Sequence, residues 1–267
     1  VRFIEDGPPT AGAPCVTTLD AIRSLEPPDP RSSPCLQRVL QVISGLAERS
    51  RGEVPVIGLV LSPFSLPVMQ LGFERYLRLT YEHRDLFWQL MAINEAFCLR
   101  WAQAQIAAGA NAIAYYDPIS SPTLTAPATF RETGLLIARR MLAQIDAPAA
   151  VHLASGRTLP IFEELATSGA ALLSASAEED LAQIKAASAG RVTVVGNLNG
   201  IAMRRWSEGE TERTVKAAIA AAARGGGFIL SDNHGEIPWQ VPDSVLEDLR
   251  DALDRWGRYP LTWIEEE

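Results

Sequence analysis

Cysteine and histidine are both scarce: the 267 residues hold three of each. Cys15, Cys35 and Cys98 are far apart and form no CxxC pair. That spacing gives no sign of a clustered metal site or a redox dithiol, and it predicts a reduced, cytoplasmic protein. Positive charge is thin as well, with 24 Lys and Arg against 32 Asp and Glu, a net charge of -8 and no basic cluster. Nucleic-acid binding is therefore not expected. No apolar run approaches the roughly 20 residues needed to span a bilayer. The opening VRFIEDGPP lacks a basic-then-apolar leader, so neither a membrane partner nor a signal peptide is expected. No strand-like run is followed by GxGxxG, and GxxxxGK[ST] is missing, which removes the phosphate cradles of the Rossmann and P-loop folds. The chain opens on Val1 rather than Met, and is expected to be part of a longer protein.

Apolar residues are plentiful, at 47%, enough for one large core; residues 1–267 read as a single domain. Residues 1–33 are rich in Pro and Gly and predict an irregular segment that orders on contact. Beyond them the pattern alternates. Helices are predicted near 34–50, 83–109, 127–145, 159–169, 178–190, 211–227 and 242–256. Short, continuous apolar runs at 54–62, 111–117, 147–154, 170–176, 191–200 and 228–233 predict six strands. In the longest helix Leu86, Leu90, Ile93, Phe97 and Trp101 recur at spacings of three and four. Repeated βα units with apolar strands imply a parallel sheet covered on both faces, either an open doubly wound sheet or a (β/α)8 barrel.

In both architectures chemistry gathers at the carboxyl ends of the strands. Those ends supply Ser62, Asp117, His152, Ser174, Asn197, Asn199, Asp232, Asn233, His234 and Glu236. His152, inside the apolar AAVHLA, reads equally as a core histidine or a ligand. His83 reads as a first-turn surface residue of the long helix. His234 is followed by Gly235, which frees room for a substrate, and Glu236 is near enough in sequence to share a proton or a metal with it. Asn197 and Asn199 alternate along the strand end and are expected to face the same side, donating to a carboxylate or accepting from a ring N–H.

GANAIAYYDPISSPTLTAPATF, PAAVHLASGRTLPIFEELATSGAALLSAS, RVTVVGNLNG and GGGFILSDNHGEIPWQVPDSVLEDLRDAL together resemble the uroporphyrinogen decarboxylase superfamily in order and spacing, over about residues 40–256. The resemblance implies a (β/α)8 TIM barrel with its cleft at the carboxyl face. Six strands fall short of eight, so the barrel is expected to lack its amino-terminal strands. An open seam would follow unless residues 1–33 or another chain cover it. DPISSP, residues 117–122, is similar to the corrinoid-dependent methyltransferase branch, which moves a methyl group from methylcobalamin to a thiol.

The decarboxylase branch is the alternative, a cofactor-free route from a tetrapyrrole substrate. Met69 stands where that branch carries a tyrosine, and its Arg-rich motif and essential aspartate have no convincing counterpart here. The methyltransferases resemble one another in a zinc site of His-x-Cys plus a later Cys. This chain keeps His152, but has Ala154 in place of one Cys, and His234 with Glu236 where the other is expected. The resemblance therefore implies His152, His234, Glu236 and Asp117 as catalytic groups. It implies Ser62, Ser174, Asn197, Asn199, Asp232 and Asn233 as substrate contacts. Either a substituted zinc site of His152, His234 and Glu236 or a zinc-independent relative with a pterin acceptor fits the substitution. A corrinoid protein or a small tetrapyrrole is the expected partner, with homodimerisation by analogy. A non-catalytic corrinoid- or tetrapyrrole-binding barrel is the third reading.

Overall fold

The computed structural model describes residues 2–4, 7–10 and 12–265. Val1, Glu5, Asp6 and Ala11 of the opening segment lie outside the described residues, as do residues 266–267. The chain runs β1 (Arg2–Ile4), β2 (Gly7–Thr10), α1 (Pro34–Ser50), β3 (Ile57–Leu61), α2 (Pro67–Leu71), α3 (Phe73–Glu82), α4 (Arg84–Ala107), β4 (Ala112–Tyr116), α5 (Pro127–Glu132), α6 (Gly134–Leu142), β5 (Ala149–His152), α7 (Phe162–Ala166), β6 (Leu172–Ser174), α8 (Leu181–Ser188), β7 (Thr193–Leu198), α9 (Glu208–Ala222), β8 (Phe228–Asp232) and α10 (Asp243–Trp256). Six strands form one sheet in sequential order β3-β4-β5-β6-β7-β8, every neighbouring pair parallel. This is the curved sheet of an α/β barrel, wound in chain order with a helical crossover between each pair.

The helix-facing positions Val60, Ile113, Tyr115, Val151, Leu173 and Val194 are all buried and belong to one large cluster with Phe87, Leu90 and Met91 of α4. The opposite positions are more open. Ile57 is 61% and Leu59 52% exposed on β3, and Ile229 48% on β8. Among the described residues no further strand pairs with the outer edges of β3 and β8. An unpaired edge needs other partners for its peptide groups. Gln105 of α4 supplies one pair: its Oε1 accepts from the Leu59 N–H at 2.9 Å and its Nε2 donates to the Leu59 carbonyl at 3.0 Å. Gly58 makes this approach feasible, since a Cβ there would meet Gln105 Oε1 at 2.8 Å.

Three local expectations are corrected. Residues 1–33 are not irregular throughout. β1 and β2 pair antiparallel, Arg2 opposite Thr10, and 3-10 turns form at Asp20–Ser24 and Pro30–Ser32. Two successive prolines suit an extended segment on a two-strand ribbon, where an absent N–H is tolerated, and Ile22 is buried against the main core. The helix expected over 127–145 is two, interrupted at Thr133, whose hydroxyl turns back to donate to the Thr129 carbonyl. α2 and α3 were not anticipated. Met69 sits on α2, 48% exposed. His83 is exposed, as its position predicts, and sits at the N-cap position just before α4 without a side-chain capping bond. No described helix is long and apolar enough to cross a membrane.

Candidate functional site

The carboxyl ends of β4, β5 and β8 converge on one cleft of about 670 Å³. Its lining includes Leu59, Tyr116, Ser155, His234, Glu236 and Trp239. A second chamber of about 660 Å³ shares Ser155, Ile201 and His234 with the first and extends to Asn199, Arg204 and Arg205. His234 therefore stands between two chambers at the sheet's carboxyl end, where α/β sites form.

Parallel register sets the first contact. Tyr116 is the register partner of His152, so both side chains share a face. Their rings stack at 5.3 Å between centroids, 25° apart. The His152 Nδ1 accepts from the Ala154 N–H at 3.0 Å, so a neutral ring carries its proton on Nε2. Burial pushes the His152 pKa down, opposed by the Asp232 carboxylate and reinforced by His234. Tyr116 donates its phenol to the His234 carbonyl at 2.7 Å. Burial, with Asp232 and Glu236 nearby, pushes its pKa up.

The loop after β8 is held by its own polar groups. Asp232 Oδ2 accepts from the backbone N–H of His234 at 2.7 Å and of Gly235 at 3.0 Å. Asn233 is buried. In the amide orientation that satisfies its neighbours it donates to His234 Nδ1 at 2.8 Å and to the Leu198 carbonyl at 3.0 Å, and accepts from Ala177 N–H at 3.2 Å. Asp232 Oδ2 lies 3.9 Å from His234 Nδ1, too far for a hydrogen bond, so the Asn233 amide sets the tautomer. His234 thus also carries its neutral-state proton on Nε2. Gly235 adopts φ +83°, and a Cβ there would sit 3.0 Å from Tyr116 and 3.5 Å from His152. The turn brings backbone against the ring pair, and Gly235 itself lines the cleft.

Several expected site residues are structural instead. Asp117 is 1% exposed and sealed among Ser62, Ser65 and Ser120, whose hydroxyls donate to it at 2.5–2.6 Å. Burial raises its pKa against those three donors; it does not line the cleft. Ser62 is spent on Asp117. Ser174 is buried, and its hydroxyl accepts from the Leu153 N–H. Asn197 donates to the carbonyls of Ser176 and Glu179. Asn199 instead accepts from Ile201 and Ala202 N–H, so the two asparagines do separate jobs. Asp232 and Asn233 shape the β8 loop. His234 and Glu236 line the cleft, with His152 behind Gly235.

The three-ligand metal set does not form. Among the described residues no group of three His, Cys, Asp or Glu side chains is placed to hold a metal ion. The Nδ1 atoms of both histidines are already acceptors for N–H groups, and Glu236 lies on the exposed part of the loop. The residues present do not fit the expected zinc.

Sequence reasoning missed Tyr116, Arg204, Arg205, Trp239 and Glu179. Tyr116 had a readable signal, since it precedes the strand-end Asp117. Glu179 had none: it accepts from Thr158, Leu159 and Ser176 N–H groups, contacts only the folded chain creates.

The chain is 27% identical over 219 residues to the methylcobamide:CoM methyltransferase MtaA of Methanosarcina barkeri, covering 82% of this chain and 63% of that protein. It is also 27% identical over 277 residues to the uroporphyrinogen decarboxylase of Cupriavidus necator, covering 97% of this chain and 74% of that protein. Among solved structures, a methyltransferase from Methanosarcina mazei superposes with a TM-score of 0.74 at 22% identity, covering 84% of this chain and 65% of that one. The chain thus spans under two thirds of the length of the first of these relatives. The uroporphyrinogen decarboxylase (URO-D) family profile matches residues 1–256, and the chain belongs to that family.

Proposed function

We propose that this protein is a methyltransferase-like enzyme that moves a methyl group between a corrinoid and a thiol or pterin acceptor. The observation that carries the reading is the cleft itself. His234 and Glu236 face a cavity of about 670 Å³, with His152 held behind the loop by Tyr116 and Gly235. The likeness to a methylcobamide:CoM methyltransferase supports it. With a thiol acceptor, Glu236 takes the thiol proton, and the Nε2–H of His234 donates to the thiolate. The sulfur–carbon bond then forms as the methyl donor's carbon–cobalt bond breaks, the electron pair staying on cobalt. A preorganised N–H donor aimed at developing charge is the kind of group that lowers such a barrier. Corrinoid, free or carried by a corrinoid protein docked over the mouth, serves as the methyl donor.

The test is demethylation of methylcobalamin by the purified protein against a panel of thiol and pterin acceptors. Turnover that falls at least tenfold in His234→Ala is the expected result. Coproporphyrinogen formed from uroporphyrinogen would replace this reading with the decarboxylase one, which the likeness to a decarboxylase over 97% of this chain and 74% of that protein keeps in view. Retained corrinoid with no turnover would leave a binding barrel.

A further inference from the structure

Trp239 is the most exposed large apolar side chain among the described residues, at 85%. An indole left in water forgoes one of the largest burial gains a side chain can offer, so its placement calls for a reason. It does not hang from a loose loop. The Val241 N–H donates to the Pro238 carbonyl at 2.9 Å, closing a turn with Trp239 and Gln240 at its two central positions. Beyond the turn, Val241 is buried with Leu198, Met203 and Val245. Before it, Asp232 and Tyr116 hold the backbone of His234 and Gly235. The fold fixes both ends of the segment and presents the indole between them.

That position is the wall of the 670 Å³ cleft. Leu59 of β3, 52% exposed, and Ile201 of the loop after β7, 49% exposed, line the same cleft. Three open apolar side chains from three separate elements thus border it. The polar lining is sparse. Glu236 offers a carboxylate, which only accepts, and His234 an Nε2–H, while the Tyr116 phenol is committed to the His234 carbonyl. Apolar walls with a few directional polar groups suit a compact ring system. A flat ring gives its face to the indole in an offset stack, and a carboxylate matches two neighbouring N–H groups on the ring edge. A tetrapyrrole whose rings are joined by saturated bridges has no single flat face, and its own carboxylates would meet Glu236.

We infer that Trp239 is a stacking platform that selects a compact fused nitrogen heterocycle, whose N–H-bearing edge rests on Glu236. The inference rests on reading the cleft as the acceptor site, in the pterin form of the proposed function, and its readout is binding rather than turnover. The probes are pterin, lumazine and isocytosine. Lumazine keeps the fused ring and carries oxygen in place of the amino group; isocytosine keeps the amino edge on a single ring. Binding is measured by ligand-observed NMR on the whole chain.

The unmodified protein is expected to bind pterin at least tenfold more tightly than lumazine or isocytosine. Trp239→Ala should weaken pterin about tenfold, the size of a lost aromatic stack, and Trp239→Phe should recover most of that. Neither change should move the urea midpoint, because the side chain is exposed. Glu236→Gln should bring pterin and lumazine to within about threefold of each other. Pterin that does not bind, that binds no better than isocytosine, or that binds Trp239→Ala as tightly as the unmodified protein overturns the inference. A lowered midpoint in Trp239→Ala alongside the weaker binding assigns the indole to the fold and overturns it too. Ring binding that follows Trp239 while methyl transfer fails with every acceptor sustains the platform and sinks the methyltransferase reading alone; thiol-dependent methyl transfer without ring binding does the reverse.

Discussion

Tyr116 and His234 are joined across 118 residues of chain by one hydrogen bond, phenol to carbonyl, at 2.7 Å. The same tyrosine ring stacks on His152, so a single side chain at the end of β4 positions both histidines. Tyr116→Phe keeps the stack and removes the bond. A neutral hydrogen bond of this kind contributes about 1 kcal/mol net. Stability by urea denaturation should therefore fall by about that much, while methyl transfer or acceptor binding falls several-fold because the His234 loop is less fixed. An unchanged affinity alongside the small stability loss would show that the bond serves the fold alone.

His152 makes the fold sensitive to acid. Its folded pKa lies below the ordinary value of 6.5, chiefly through burial. The unfolded chain therefore binds more protons than the folded one as pH falls through 6.5, and stability drops there. The contribution is fully present above pH 6.5 and is lost on descending toward the folded pKa. His152→Gln removes the titrating group. Urea unfolding at a series of pH values from 7.5 downward should show a shallower loss in the variant. Identical slopes would mean that other groups dominate the acid limb.

Zinc removal should change little. The two histidine Nδ1 atoms are engaged by N–H donors, and no three described His, Cys, Asp or Glu side chains share a site. Elemental analysis is expected to find zinc well below one per chain, and chelator dialysis should leave the melting temperature and acceptor affinity unchanged. Stoichiometric zinc that is lost in His152→Ala would reverse this conclusion and restore the substituted His2Glu site.

Asp117 tests the difference between a catalytic acid and a structural one. Three serine hydroxyls converge on its carboxylate inside the core, and hydrogen bonds to a charged group contribute about 1.5–3 kcal/mol each. Asp117→Asn leaves at least one hydroxyl facing an amide that cannot accept from it. A loss of about 3 kcal/mol in urea denaturation is expected, with acceptor KM unchanged in the fraction that folds. A full-stability variant with abolished turnover would return Asp117 to the catalytic list.

The sheet was legible in the sequence because its strands are continuous apolar runs, and all six runs became the six parallel strands, although only the helix-facing positions are fully buried and Ile57, Leu59 and Ile229 on the other face stay open. The cleft's location followed from the strand ends. Individual roles did not, because a polar residue at a strand end meets two demands with the same chemistry. Ser62, Ser174 and Asn197 satisfy peptide groups or a buried carboxylate, whereas His234 and Glu236 face open space. Which demand wins depends on the neighbouring loop, and loops such as 153–159 and 199–206 carry no periodicity to read. The break at Thr133 was hidden for a related reason: its side chain competes with the helix backbone, a local choice that Gly134, packed against Ser120, helps to decide.

Glu179 gives the most demanding test of how the cleft is held open. Its carboxylate accepts from the N–H groups of Thr158 at 2.9 Å, Leu159 at 2.8 Å and Ser176 at 3.3 Å. Its own carbonyl accepts from Asn197 at 3.2 Å. The side chain thus ties the loop after β5 to the loop after β6, and the main chain of the same residue is tied to the end of β7; Ser155, in the first of these loops, lines both chambers. Thr158 is buried, so its N–H cannot turn to water if the carboxylate is removed, and a stranded buried donor costs about 1–3 kcal/mol. Glu179→Ala should therefore lower stability by about 3 kcal/mol. Amide hydrogen exchange should speed up in residues 153–159 before it does in β5 itself, because the loop opens locally at less cost than the strand. Glu179→Gln keeps one acceptor oxygen and should recover part of both effects. Exchange that stays slow in 153–159 while stability falls would place the role of Glu179 in the global fold and not in the cleft wall.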